Sequence, residues 1–163
     1  MWSSEARPTR RLALLGALSL LAACGFRPVH GPGGALAALA GRVAVQVPAT
    51  EAGFVLRNRL LDRLGPPGTA EYLLDVNLEL RDAGVAVTSE QETTRYTLPG
   101  RATWQLTQAA NGTLLAEGEV ESFTGYSATG TTVSTFAAAD DAEARLAAAL
   151  ADLIVMRLIA VVP

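Results

Sequence analysis

The clearest pattern along the chain is an alternation of apolar and polar positions in four separate stretches. In EYLLDVNLELRD, residues 71–82, leucine and valine alternate with charged or amide side chains, which is typical of a strand with one buried and one wet face. The same period of two predicts strands over 42–47, 93–107 and 113–123. Pro99-Gly100 interrupts the third stretch, where we expect a bulge or an edge position because proline cannot donate to a ladder.

Two other stretches repeat apolar residues with the helical period. Leucines on one face predict a helix over about 51–64, capped by Thr50 and ended by Gly65. A second apolar stripe predicts a helix over about 140–160, capped by Asp140 or Asp141. The polar connection before it is consistent with a short strand near 132–136, and ALAALAG, residues 35–41, is typical of a weak short helix or of linker.

The resulting order of elements is β-α-β-β-β-α. Asn111-Gly112 favours a tight hairpin between the last two strands, and TSEQE, residues 88–92, is the expected polar tip of the preceding hairpin. Because the later strands are joined by short hairpins, the sequence predicts an α+β fold: an antiparallel sheet of about four strands with two helices packed on one face.

The N-terminal stretch LALLGALSLLAAC has a different pattern, an apolar run that ends at the single cysteine of the chain. The run over 12–23 is too short to cross a bilayer, which needs about 20 apolar residues. Three arginines precede it and small residues end it, as in a secretory signal peptide. Leu21-Ala22-Ala23-Cys24 also resembles a bacterial lipobox, whose cysteine is acylated and becomes the first residue. The alternative is an ordinary signal peptide with a chance cysteine.

The lipobox interpretation divides the chain into three parts. Residues 1–23 are a removed signal peptide, 24–41 are the lipidated Cys24 with a flexible tether, and 42–163 are a single α+β domain. Cys24 would carry diacylglycerol and an N-acyl chain, which suffice for stable anchoring, and no other cofactor is expected. By resemblance to enterobacterial lipoproteins, Gly25 favours delivery to the outer membrane, with the domain facing the periplasm.

Charge and composition argue against several classes of function. The chain has 13 basic and 16 acidic residues, and without residues 1–23 the balance becomes 10 against 15, so nucleic acid is not an expected partner. The single cysteine cannot form an internal disulfide. His30, the only histidine, lies in the predicted tether, where it is poorly held for use as a general base. No nucleophile motif, zinc spacing or phosphate loop is present, so we expect a binding or structural protein and not an enzyme.

Three carboxylates share the polar side of the last predicted strand: Glu117, Glu119 and Glu121. Metal binding or hydrolysis is one interpretation. The simpler one is a wet strand face lying across from Arg95, Arg101 or Arg81.

Several segments taken together resemble the LptE family of lipopolysaccharide-assembly lipoproteins. In order, they are CGFRP after the lipobox, a helix ending LRNRLLDRLG, the strands YLLDVNLEL and TTRYTLPGRATWQL, and ESFTGYSAT before an acidic, alanine-rich terminal helix. The resemblance implies a plug inside the outer-membrane β-barrel LptD, which helps the barrel to fold and assists placement of lipopolysaccharide in the outer leaflet. The 17 residues from Gly25 to Gly41 would span at most ~60 Å, which is enough to run from the inner leaflet into the barrel mouth.

This chain lacks basic residues at the positions that some family members use to contact lipopolysaccharide. In some members, basic residues around the central hairpin and near the start of the last helix are credited with lipopolysaccharide contact, whereas the segments SEQE and ADD are neutral or acidic here. We therefore expect any contact with lipopolysaccharide phosphates at Arg95 and Arg101. The alternative is that both arginines only pair with the glutamate row.

A different function also fits the sequence. The chain could be a generic outer-membrane lipoprotein that serves as an accessory or binding module of another envelope complex.

Overall fold

The chain folds into a sheet that is covered on one face by helices. The computed structural model describes residues 35–81, 83–87 and 93–161, and the side chains of 36–81 and 95–161. The predicted lipidation site at Cys24 and the hairpin tip over 88–92 lie outside the described residues. In chain order the elements are α1 (Ala35–Leu39), β1 (Val43–Gln46), α2 (Glu51–Leu64), β2 (Tyr72–Leu80), β3 (Ala83–Val87), β4 (Thr93–Gln108), β5 (Leu114–Ser127) and α3 (Thr132–Val161).

β4 is the central strand of a five-stranded mixed sheet, and the predicted α+β class is confirmed. β2 and β3 pair antiparallel with successive halves of one edge of β4, and β5 pairs antiparallel with the other edge. β1 lies outside β2 and, unlike the predicted antiparallel arrangement, runs parallel to it. The reason is α2, since a helical crossover between two neighbouring strands makes both run in the same direction.

The hydrophobic core lies between one face of the sheet and the helices α2 and α3. Within the part of the chain whose side chains are described, no polar or charged residue is buried. The fully buried leucines come from the three helices and from the sheet: Leu39, Leu56, Leu60, Leu64, Leu74, Leu98, Leu106, Leu146, Leu150 and Leu158. The opposite face of the sheet is left to polar side chains, as the alternating pattern predicts.

Residues 35–41 belong to the folded domain and not to a tether. Of the two alternatives for ALAALAG, the structure has the short helix, and the side chains of Leu36 and Leu39 join the core. Gly41 N donates to the carbonyl of Leu64 at 2.7 Å, which ties this segment to the end of α2. The predicted tether over 24–41 therefore extends too far, because Leu36 and Leu39 within it are packed in the core.

The last helix, α3, begins eight residues earlier than the predicted start at residue 140. The short strand over 132–136 and the cap at Asp140 or Asp141 are both wrong. Thr131 is the cap, because its Oγ1 accepts a hydrogen bond from Ser134 N at 3.3 Å. Val133 and Phe136 in the first turns are exposed, so this segment does not continue the buried apolar stripe from which the helix was predicted.

Pro99 lies in the middle of β4 without interrupting it. Its carbonyl accepts a hydrogen bond from Arg81 N at 3.1 Å, so its backbone faces the edge shared by β2 and β3. β2 ends opposite Gly100, and β3 begins opposite Thr97. Pro99 has no N–H to donate, and it lies opposite the gap between β2 and β3. The gap accommodates the proline, so the predicted bulge or edge position is not needed.

Trp104 of β4 packs against the backbone of Gly118 on β5, on the core side of the sheet. The two residues are register partners, and a Cβ at position 118 would lie 2.8 Å from the indole ring. Trp104 is 3% exposed, and its Nε1 has no hydrogen-bond partner within the described part of the chain. A glycine is needed at position 118 because the flat ring occupies the space of a side chain.

Gly53 is the third residue of α2, and a Cβ there would lie 2.1 Å from the carbonyl oxygen of Pro48. Glycine to alanine in a helix usually stabilises by about 1 kcal/mol. Here we expect Gly53→Ala to lower the free energy of unfolding by ~1–3 kcal/mol, because the backbone must move to admit the methyl group. Urea unfolding measures the change, with Asn58→Ala on the exposed side of the same helix as control. Equal stability of the two variants would contradict the steric argument.

Asp152 of α3 joins the two helices through arginines of α2. Its Oδ2 lies 2.8 Å from Arg59 Nη2, and its Oδ1 lies 2.9 Å from Arg63 Nε. The hydrogen bond from Arg59 is the main cause that lowers the pKa of the Asp152 carboxyl, with Arg63 adding to it against the opposing effect of desolvation. The two arginines of α2 thus connect this helix to α3.

We expect Asp152→Asn to lower the free energy of unfolding by ~0.5–1 kcal/mol at pH 7, a value appropriate to a partly exposed pair. Because the folded pKa is depressed, the wild-type advantage is present above the unfolded pKa of ~3.9. It is lost as the pH falls through the lower folded value. Urea unfolding at pH 7 and at pH 2 measures this, with Asp75→Asn on the sheet as control. An advantage that persists unchanged at pH 2 would refute the ion-pair explanation.

Candidate functional site

The face of the sheet that turns away from the helices carries polar side chains in rows across the strands. We call it the polar face, and it consists of the odd-numbered residues of β2, β4 and β5 over 75–79, 95–105 and 117–127. Three of its rows are Asp75–Gln105–Glu117, Asn77–Thr103–Glu119 and Glu79–Arg101–Glu121. The predicted alignment of the glutamate row with an arginine of the neighbouring strand is confirmed.

Arg101 is held by two carboxylates of the glutamate row. Its Nη1 lies 3.3 Å from Glu119 Oε2, and its Nη2 lies 2.5 Å from Glu121 Oε1. The charge of Glu119 and then the hydrogen bond to Glu121 raise the pKa of the Arg101 guanidinium. Its charge is therefore compensated within the sheet, as the alternative interpretation of the sequence expects.

Arg95 lies on the same face, six positions before Arg101 in β4, and is the register partner of Ser127. Six strand residues span ~20 Å, so the two guanidinium groups cannot bind one phosphate together. Arg95 is exposed, and none of the ion pairs found over 36–81 and 95–161 involves it. The structure thus distinguishes the two candidate residues that the sequence treats alike.

A shallow depression of about 490 Å³ lies on the polar face where β2 ends. Its lining residues are Glu79, Arg81, Pro99, Gly100, Arg101, Glu121, Ser122 and Phe123. Arg81 pairs with Glu79 at 3.2 Å, so the charges around the depression are largely balanced. Phe123 stands at its rim with 76% of its surface exposed. Phe123 continues the alternation of the three glutamates, which is the signal in the sequence that places it on this face.

The described residues offer little chemistry beyond binding. No group of three or more His, Cys, Asp or Glu side chains over the described ranges is placed to hold a metal ion. His30 and Cys24 lie outside those ranges. Each helix in the part of the chain that the structure describes is too short or too polar to cross a bilayer. The polar face therefore presents a rigid, mixed-charge surface with one exposed aromatic side chain.

Three solved structures that share this fold are described as lipoproteins. A lipoprotein from Caulobacter crescentus CB15 is 24% identical, with a TM-score of 0.62 over 80% of this chain and 96% of its own. Rare lipoprotein B from Shewanella oneidensis is 14% identical, with a TM-score of 0.56 over 72% and 93% of the two chains. A minor lipoprotein from Acinetobacter baumannii is 17% identical, with a TM-score of 0.56 over 75% and 93%. At these identities the likeness concerns the fold.

The sequence itself decides the family. No curated protein sequence matches the chain significantly. The family model LptE, lipopolysaccharide-assembly, matches residues 40–158. This match covers all five strands, the whole of α2 and most of α3, in agreement with the resemblance found from the sequence segments. The chain belongs to the LptE family of lipopolysaccharide-assembly proteins.

Proposed function

We propose that the protein is an outer-membrane lipoprotein that occupies the lumen of an LptD-type β-barrel, helps it to assemble and assists insertion of lipopolysaccharide into the outer leaflet. The observation that carries this proposal is the LptE family match over residues 40–158. Lipidation at Cys24 would anchor the protein on the periplasmic side of the outer membrane. The role is one of binding and not of catalysis.

The sheet has helices on one face and polar side chains on the other, and this arrangement supports the proposed position inside a barrel. α2 and α3 close the core on one face, and the other face presents charged and amide side chains. The interior of a large outer-membrane barrel is polar and wet, so the polar face suits such a lumen without further desolvation. A domain with its own closed hydrophobic core can enter the barrel as a rigid body.

The packing of α1 shortens the tether that this proposal needs. Only the ten residues from Gly25 to Gly34 would separate the lipidated Cys24 from the helix that begins at Ala35. Ten residues reach at most ~36 Å, compared with ~60 Å for the tether inferred from the sequence. The domain must therefore sit close to the periplasmic mouth of the barrel.

Purification of the tagged full-length lipoprotein from outer membranes in mild detergent tests the proposed function. We expect a stoichiometric partner of the LptD type, which shifts in electrophoretic mobility on heating as a folded barrel does. Purification of the lipoprotein without any barrel would exclude the plug and favour an accessory role in another envelope complex. Tagging at the C-terminus leaves the predicted lipobox intact.

Contact with lipopolysaccharide is a finer proposal that falls on Arg95 and Arg101. We expect Arg95→Ala to weaken lipopolysaccharide binding about two- to fivefold, since an exposed ion pair is worth up to ~1 kcal/mol. Arg101→Ala should have a smaller effect because Glu119 and Glu121 already compensate its charge. Binding of the purified lipoprotein to immobilised lipopolysaccharide measures both effects, and Arg57→Ala on α2 controls for lost charge. If the double variant binds as Arg57→Ala does, the polar face does not contact lipopolysaccharide phosphates.

A further inference from the structure

β5 is a long strand with one edge that pairs with no described strand. It extends over Leu114–Ser127 and, among the strands that the structure describes, pairs with β4 alone. The register between the two strands is unbroken from Ala116 to Ser127, and β5 contains no proline. Such an edge is a template for one more strand, because its backbone donors and acceptors are regularly spaced.

The hydrogen-bonding pattern shows which backbone groups point away from β4. Pro99 faces the edge shared by β2 and β3, so the odd residues of β4 face that side and the even residues face β5. Their even-numbered register partners in β5 complete the ladder. The odd residues of β5 therefore point their N–H and C=O groups outward. In agreement, the carbonyl of Gly125 accepts a hydrogen bond from Arg145 Nη2 at 3.4 Å.

The same outward residues carry the acidic side chains of the polar face. Glu117, Glu119 and Glu121 follow one another along the edge, and Arg101 is the one cation that pairs with any of them in the described part of the chain. The row thus keeps a negative excess next to the open backbone. Two residues further along, Phe123 adds an exposed aromatic ring.

These charges determine what kind of strand can pair with β5. A second copy of the chain, paired antiparallel about a two-fold axis at Glu119, would place Glu117 opposite Glu121 and Glu119 opposite itself. Like charges directly opposite each other destabilise a strand pair, so the row opposes self-association. A strand with arginine or lysine at alternate positions would place opposite charges there, and an apolar residue two positions further would cover Phe123.

We propose that the open edge of β5 binds an extended, basic segment of the barrel partner as an additional strand. This inference rests on the proposed function and makes it more specific, because it names the surface of the plug and the chemistry of the bound segment. Backbone hydrogen bonds from the odd residues supply the attachment. Charge pairing with Glu117, Glu119 and Glu121 sets the register.

Photocrosslinking in living cells tests the inference on the full-length lipoprotein. p-Benzoylphenylalanine replaces Phe123 at the edge or, as a matched control, Phe54 on α2, which is 57% exposed. The cells are irradiated, the lipoprotein is purified, and the crosslinked peptide is identified by mass spectrometry. We expect position 123 to crosslink to a barrel peptide with basic residues at alternate positions.

Proline substitutions show whether the barrel segment pairs with the backbone of β5 or merely lies near Phe123. Glu121→Pro and Glu119→Pro each remove one outward N–H, which an edge strand tolerates. Either change should reduce the crosslink at position 123 to the background, whereas Glu121→Gln keeps the N–H and should retain most of it. The double charge reversal Glu117→Arg with Glu119→Arg leaves the backbone unchanged and should also abolish the crosslink. Circular dichroism of each purified variant confirms that it is folded.

The possible outcomes distinguish failure of the β5 edge inference from failure of the proposed function. If the barrel co-purifies but crosslinks only at Phe54, or if the crosslink at position 123 survives both proline changes, the edge inference is wrong and the proposed function stands. A crosslink from position 123 to a peptide of this chain, from the same molecule or from a second copy, would also overturn it. If no barrel co-purifies with the wild-type protein, both proposals fail together.

Discussion

Leu150→Ala should lower the free energy of unfolding by ~2–5 kcal/mol, which would remove a large fraction of the ~5–15 kcal/mol of a typical domain. Leu150 is 0% exposed and lies in the stretch of α3 that closes the core over both α2 and the sheet. Removing three of its side-chain carbons leaves a cavity, because the surrounding core relaxes only partially. Urea unfolding followed by far-ultraviolet circular dichroism measures the change.

Leu153→Ala is the matched control for this prediction. Leu153 belongs to the same helix but is only partly buried at the margin of the core. Solvent can occupy the space left by its side chain, so we expect a clearly smaller loss of stability. Equal losses in the two variants would mean that α3 does not form the centre of the core.

Removal of the lipid proposed on Cys24 should transfer the protein from membranes to the aqueous phase almost completely. A general secretory signal peptide fused directly before Gly25 would produce the same domain without acyl chains. The packed helices of the described domain bury their apolar stripes against the sheet, which leaves the acyl chains as the main source of membrane affinity. One chain alone gives marginal binding and two give stable anchoring, so the expected change is from nearly all bound to nearly all free.

Flotation with phospholipid vesicles measures this partition without the barrel partner. The lipidated protein should float with the vesicles, and the lipid-free protein should stay at the bottom of the gradient. Mass spectrometry of the N-terminal peptide of the lipidated form identifies the acyl chains on Cys24. A lipid-free protein that still floats would show that the domain binds membranes through its own surface.

The alternating strands and α2 could be predicted because each has a single dominant signal. The period of two in β2, β4 and β5 assigns every residue to a face, and Thr50 with Gly65 marks both ends of α2. The start of α3 had no such signal, because Val133 and Phe136 are exposed and their residue types favour strands. The four residues of β1 do not determine its direction in the sheet. The direction follows from the crossover helix α2, which makes β1 and β2 parallel.

The candidate site was predicted in its composition but not in its pairing. Alternation places Arg101 and the glutamates on one face, yet only the register shows that Arg101 lies opposite Glu121 and between two carboxylates. Arg95 has the same alternation and a different neighbour, Ser127. The open edge of β5 could not be foreseen either, because strand order within a sheet is a property of the whole fold.

The contact between Trp104 and Gly118 gives this protein an optical reporter of its own. The chain has two tryptophans, and Trp2 falls within the predicted signal peptide, so the processed protein would fluoresce from Trp104 alone. Its indole is buried against a glycine backbone in an apolar core, without a hydrogen-bond partner among the described residues. Emission should be blue in the native state and shift to the red when β4 and β5 separate, without any added label.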